Sequence, residues 1–300
     1  MSRDTSRGKA TVRQMCTAFG LSRQAYYEAL NPRVVQLRPR KERQGPWASA
    51  TELEAGIRAV IADNPGWGVL KVWAALRRPD RNILASRKRV WAMMKRLGLV
   101  FAAPWERQEG PERRGHVTVP DSNRRWASDL TTVWTDQEGI VGVTVVIDCG
   151  DRTILDIEVA RSQESSAVLR PILRALRAEF GSPGRVPDAL ELRTDHGSVY
   201  TGGDCFALTQ TWGMKHTFAP VGRPTGNAVA ERVIRTLKEE LIWTRDWKSI
   251  DELRDAVNAW RLVYNHKRPH QALNWQTPEE RRCANLASRS RRSHEVKSCR

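Results

Sequence analysis

An α/β domain built on a mixed five-stranded sheet, preceded by a smaller all-helical region, is the architecture expected of this 300-residue chain. The apolar periodicity is helical up to about residue 100 and changes to the two-residue period of strands from Arg124. From there the segments run strand, strand, strand, helix, strand, helix, strand, helix, an order that specifies a mixed sheet. Charge divides near the same place: residues 1–120 hold 23 Lys or Arg against 10 Asp or Glu, whereas residues 121–284 hold 22 against 23. Most of the net charge of +16 therefore lies in the front half, which predicts an anionic partner gripped ahead of the sheet.

Within residues 1–48, Val12, Met15, Cys16 and Phe19 precede Gly20, and Ser22 stands as an N-cap before Ala25, Tyr26 and Leu30. This is either the turn and second helix of a helix-turn-helix or a plain helical hairpin. The remainder, with Pro32, Pro39 and Pro46 among basic residues, is a linker. Residues 49–122 form a second region. Leu53, Ile57, Val60 and Ile61 make one apolar stripe, Val69, Val72, Trp73 and Leu76 another, and Val90, Met94 and Leu97 a third. Arg87, Lys88 and Arg89 open the third helix and Lys95 and Arg96 close it, so a basic face runs beside the apolar one. A helix-turn-helix-like DNA-binding unit whose last helix enters the major groove fits this pattern; a trihelical spacer with a solvated basic surface is the alternative. Residues 101–122 are a second proline-marked linker.

The third region spans 123–284. Strands are expected at 126–134, 141–148 and 153–159, joined by short turns as an antiparallel meander. An amphipathic helix follows at 164–180, then a strand at 189–194, a helix at 204–212, a short strand at 215–218 and a long helix at 228–243. Residues 285–300, with five basic residues and one acid, are expected to be a disordered tail.

Three carboxylates stand out because each falls in a different element of this pattern. Asp129 lies inside the first strand, sharing a face with Ala127 and Thr131 rather than with a bulky apolar layer. Asp195 ends the fourth strand, at the carboxyl edge where sites in such sheets usually lie. Glu231 sits on the last helix, and Lys238, seven residues on, differs from it by only about 20° around the axis. Separated acids with a basic partner suit phosphodiester chemistry. Two Mg²⁺ ions, or Mn²⁺ in their place, held by Asp129, Asp195 and Glu231, would activate the attacking oxygen and stabilise the leaving one. Lys238 would position DNA as a point charge, with His196 beside it for phosphate contact or a supporting hydrogen bond and Arg235 among the DNA contacts.

Other classes are disfavoured. The five cysteines show no CxxC pair and no His/Cys ligand spacing, which predicts a reducing compartment and no structural zinc. No stretch of 18 apolar residues and no leader-like start occurs, so no membrane partner and a cytoplasmic, nucleoid-associated location are expected.

The segments WASDLTTVW, LRTDHGSVY and PVGRPTGNAVAERVIRTLKEEL resemble the catalytic core of retroviral-integrase-type transposases, specifically the second-frame protein of bacterial insertion sequences of the IS3 type. The 35 residues between Asp195 and Glu231 match that family's interval, and Lys238 falls at its basic position. Tyr264, Asn265, Arg268, Pro269, His270, Leu273, Thr277 and Pro278 are similar to its C-terminal signature, and Gly66, Trp67, Gly68 and RVWAMMKRLGL to the helical region before its core. The resemblance implies a ribonuclease-H-like, integrase-type core that frees 3′ hydroxyls at element ends and joins them to another phosphodiester. It implies double-stranded DNA as partner, both terminal inverted repeats and target, and a homo-oligomer assembled on it. Arg223 would touch DNA, while Gly226 and Asn227 would shape the loop entering the Glu231 helix. Tyr264, Arg268 and His270 either serve the site or pack the last helix on the core.

The family places a long helix-turn-helix and a leucine-heptad segment upstream, joined by frameshifting, and this sequence has neither. The expectation is a product of the catalytic frame, with the upstream-frame protein as a further partner. A nuclease of the same fold that only hydrolyses, and a DNA-binding regulator of transposition, are the competing functions.

Overall fold

A computed structural model describes residues 11–30, 47–100, 119–187, 189–219 and 227–298. The chain divides into two compact units, Met1–Pro46 and Trp47–Arg300. In the first, α1 (Val12–Ala18) opens on a capping box between Thr11 and Gln14, and α2 (Arg23–Leu30) begins where Ser22 Oγ accepts from the Ala25 amide at 3.0 Å. Of the linkers expected at 31–48 and 101–122, residues 31–46 and 101–118 lie outside the described residues, as do Arg223 and Gly226.

The second unit begins with three short helices, α3 (Ala50–Asp63), α4 (Val69–Leu76) and α5 (Arg87–Arg96). Ser49 and Glu52 close a reciprocal box at the start of α3, satisfying two amides that have no partner within the helix. Leu53, Ile57, Val72, Leu76, Val90 and Met94 are buried together, two from each predicted stripe.

The sheet is five-stranded in the order β3-β2-β1-β4-β5. β1 (Arg125–Thr135), β2 (Gly139–Asp148) and β3 (Ile154–Ala160) form the antiparallel meander. After α6 (Ser165–Phe180), β4 (Glu191–Thr194) pairs parallel with β1. The short α7 (Ser198–Thr201) and α8 (Gly203–Thr211) then lead to β5 (Lys215–Phe218), parallel to β4. The three-strand start can be so compact because β2 returns to β3 through a tight turn at Gly150. A Cβ there would come within 2.1 Å of the Asp121 carbonyl oxygen, so the close approach demands glycine.

Each face of the sheet is covered. Odd-numbered residues of β1 and β2, among them Ala127, Val133, Val143, Val145 and Ile147, pack against α9 (Ala228–Glu240) and α10 (Ile250–His266). Trp126, Val146 and Leu192 on the other face pack against α6 and the α7–α8 segment. Side chains alternate across a strand, so Asp129, paired with Val145, faces the α9 side.

Two expectations are corrected. The helix expected over 228–243 ends at Glu240, and its last turn tightens into a 3₁₀ segment, Ile242–Thr244, after Leu241 leaves helical dihedrals. The tail expected to be disordered over 285–300 instead continues α11 (Pro278–Ser298). Pro278 starts that helix, acids follow in its first turn, and neither proline nor glycine interrupts it. Among the described residues no helix is long and apolar enough to cross a membrane.

Candidate active site

Parallel pairing of β1 with β4 brings the two aspartates level. Ala127 is registered with Arg193, and two residues further along each strand stand Asp129 and Asp195. Adjacent strands lie about 4.8 Å apart, so neighbouring positions at the same height are near neighbours. Formal β4 pairing ends at Thr194, and Asp195 turns the chain out of the sheet: its Oδ1 accepts from the Gly197 amide at 2.9 Å. A Cβ at Gly197 would lie 3.0 Å from that same oxygen, so a larger residue there would press on the carboxylate.

Glu231 reaches the site from the first turn of α9. Asn227, buried at the head of this helix, donates its side-chain amide to the Ser128 carbonyl at 3.3 Å, tying α9 to β1 one residue before Asp129. Ala230, Val233, Ile234 and Leu237 then form the buried stripe, with Val229 and Leu241 partly buried at its margins. Glu231 is left exposed and Lys238 half-buried.

Electrostatics connect these groups. Burial pushes the Asp129 carboxyl up to about 6, and the charges of Asp195 and Glu231 push in the same direction. A hydrogen bond from the Leu130 amide, 2.9 Å from Oδ1, and the Lys238 ammonium oppose the rise. Partial burial also raises the Glu231 carboxyl. Asp195, Glu231 and Lys238 thus all act on Asp129, but among the described residues no group of three or more His, Cys, Asp or Glu side chains is arranged to hold a metal ion. The donor types nevertheless suit a hard divalent cation: all three are carboxylates, and the repulsion that Asp195 and Glu231 exert on Asp129 is what such a cation would relieve.

The remaining sequence-derived candidates fall into separate places. His196 is exposed and stacks on Phe218 with ring centroids 5.0 Å apart. Arg235 is exposed and pairs with Glu239 at 3.0 Å. On α5, Arg87 and Lys88 are exposed, and Lys95 lies 5.3 Å from the Trp91 ring centroid. Arg89 is half-buried and donates to the Ala48 carbonyl at 2.8 Å, while Arg96 is exposed and pairs with Glu54 on the surface at 3.0 Å. Tyr264, Arg268 and His270 are buried. Burial, then the charges of Arg268 and Lys71, depresses His270 to about 3, so it is neutral.

One neighbour of the site had no role in the sequence reading. The Tyr200 and Ser128 hydroxyls lie 3.0 Å apart, buried behind the strand next to Asp129. Burial, and then the nearby Asp129 and Asp195, raise this phenol above its ordinary value. It is a neutral prop for β1. A tyrosine in a short helical turn carries no sequence signal for such a contact.

Comparison with known proteins gives a consistent result. A family model described as integrase core domain matches residues 120–224, and another of the same description matches residues 212–278. A model described as HTH-like domain matches residues 48–108. Transposase InsD for insertion element IS2A/D/F/H/I/K from Escherichia coli is 30% identical over 246 residues, covering 77% of this chain and 78% of that protein. Transposase InsD for insertion element IS2D from Escherichia coli strain K12 gives the same figures, 30% identity and 77% and 78% coverage. Among solved structures, the catalytic core domain of BIV integrase aligns with a TM-score of 0.42 at 20% identity, covering 56% of this chain and 99% of that one. The HTLV-2 integrase catalytic core domain in complex with magnesium aligns with a TM-score of 0.40 at 16% identity, covering 53% and 95%.

Proposed function

The chain belongs to the IS3-type insertion-sequence transposases, with their ribonuclease-H-like integrase core, and from this we propose that it cuts the 3′ ends of a DNA element and joins them to target DNA, using Asp129, Asp195 and Glu231 around two divalent ions. The supporting observation is the convergence of charge on Asp129, where two further acids and Lys238 all act. Mg²⁺, or Mn²⁺ in its place, would supply charge neutralisation and activation of oxygen for both in-line displacements.

The chain's own groups would orient the reactants. Asp129 on β1 and Asp195 just past the end of the neighbouring parallel strand β4 would present their carboxylates from the sheet, and α9 would add Glu231. Lys238 is on the Glu231 side of α9, has no lone pair to offer a metal when charged, and would hold a phosphate of the element end. His196, exposed beside Asp195, would contact a neighbouring phosphate or base. Arg87 and Lys88 occupy the amino end of α5, where the helix dipole already favours anions and where stability alone favours acids. Their placement supports phosphate contact by the helical block. Joining two element ends to one target calls for more than one active site held together, which favours a homo-oligomer assembled on DNA.

The test is to incubate the full chain with Mn²⁺, labelled terminal-repeat DNA and a target duplex. Joined products support strand transfer; nicked ends without joining would assign a hydrolytic nuclease, and binding alone a regulator.

A further inference from the structure

Helix α9 is fastened at both ends by groups outside itself. Asn227 anchors its start to β1. At its other end Glu240 accepts from Lys71 of α4 at 2.5 Å and from Nε and Nη2 of Arg268 at 3.1 and 3.0 Å. Glu231 and Glu240 are nine residues apart, which places them on opposite sides of the helix and ~13 Å apart along it. The helix thus faces the acids with one end and the helical block with the other. Glu240 is only 10% exposed, whereas its neighbour Glu239 is 50% exposed and pairs within α9. Lys71 and Arg268 also set two cations against the negative end of the helix dipole.

The same seam is crossed at other points. The Trp73 ring meets Trp275 edge to face at 5.8 Å, and the Arg87 guanidinium lies over both, 4.5 and 5.9 Å from their centroids. Arg78 pairs with Glu280 at 2.6 Å. Val263 of α10 packs against the apolar core of the helical block. Trp275 is aimed by two successive left-handed residues, Asn274 at φ 54° and Trp275 itself at φ 69°. Asparagine adopts that conformation readily, but a bulky residue such as Trp275 does so only where its surroundings impose it, and such positions concentrate where function needs them.

Resting on the strand-transfer reading above, we infer that Glu240 is a positioning residue: through Lys71 and Arg268 it fixes the far end of α9 to α4, so that DNA held by the helical block is kept in register with Glu231 and Lys238. The C-terminal signature then has a task, since Arg268 and Trp275 are the core's side of this fastening.

Lys71→Met keeps the aliphatic stem and removes only the charge that reaches Glu240. In the full-length protein at saturating Mn²⁺ and end DNA, the single-turnover rate of 3′-end release should fall at least about tenfold, because small displacements of reacting groups are costly. Affinity for end DNA should stay within about twofold. Hydrogen exchange over residues 228–240 of the DNA-free protein should quicken, and Lys71→Arg should restore both rate and protection. Trp275→Leu, loosening the seam from the other side, should act like Lys71→Met. A wild-type rate in both variants, or unchanged exchange over residues 228–240 in both, would overturn the inference, as would a loss of end-DNA affinity well beyond twofold. A wild-type chain inert with Mn²⁺ and end DNA would count against strand transfer, whereas the fastening of α9 is decided by exchange alone.

Discussion

Asp129 illustrates how the site trades stability for reactivity. Its carboxyl titrates near 6 in the folded chain and near 3.8 when unperturbed, so folding favours the protonated form. The associated stabilisation is complete below about pH 3.8 and is lost as pH rises through 6. Asp129→Asn should therefore match the wild type at pH 3.5 and exceed it by about 1–3 kcal/mol at pH 7 in metal-free buffer, as read by urea unfolding. A variant no more stable than wild type at pH 7 would show that the carboxylate is not strained. Lys238 poses a different question. Lys238→Ala should cut strand joining and crosslinking to the element end while leaving Mn²⁺ affinity unchanged by calorimetry, and Lys238→Arg should rescue in part. Loss of metal affinity with intact DNA contact would reverse the assignment.

Among the elements, α5 separates charge that is free from charge that is engaged. Arg89 serves the helical block itself, whereas Arg87, Lys88, Lys95 and Arg96 are exposed, so the salt dependence of DNA binding should rest on these four. Neutralising Lys88 and Lys95 should lower the slope of log affinity against log salt by about 2, and Arg89→Gln should leave it unchanged while lowering the melting temperature. Equal effects from all three changes would mean that the helix is merely bathed in counterions. The sequence could not sort these residues, because a basic helix face reads the same whether its partners are phosphates or a distant glutamate. Strand β5 was legible to its ends, being bounded by Gly213 at positive φ and by Pro220. The acids were legible for a related reason: one interrupts a strand pattern, one ends a strand, and one opens an amphipathic helix. Glu239 and Glu240 were indistinguishable in sequence, and only tertiary packing makes one a surface residue and the other a buried fastening point.

Over the whole molecule, long-range ion pairs do what sequence patterns cannot announce. Arg282 of α11 is 7% exposed and reaches Asp151 at 2.7 Å, Asp148 at 3.4 Å and Glu179 at 2.5 Å, joining the C-terminal helix to the sheet and to α6. Burial, then the charge of Asp151, pushes Asp148 up to about 7, so this cluster depends on its one guanidinium. Arg282→Leu should cost about 3–5 kcal/mol in urea unfolding by stranding buried carboxylates, whereas a change below 1 kcal/mol would show them to be solvated. The proposed chemistry is tested most directly by single-turnover reaction of the full chain with labelled terminal-repeat DNA and target, comparing wild type with Asp129→Asn, Asp195→Asn and Glu231→Gln, each with Mn²⁺ and with chelator. Strand joining by the wild type only with the divalent ion, a loss of about 10³-fold or more in each variant, and end-DNA affinity held within about twofold are expected. Joining at the wild-type rate by any of the three variants, or in the presence of chelator, would contradict the assignment of these acids as the metal-dependent centre.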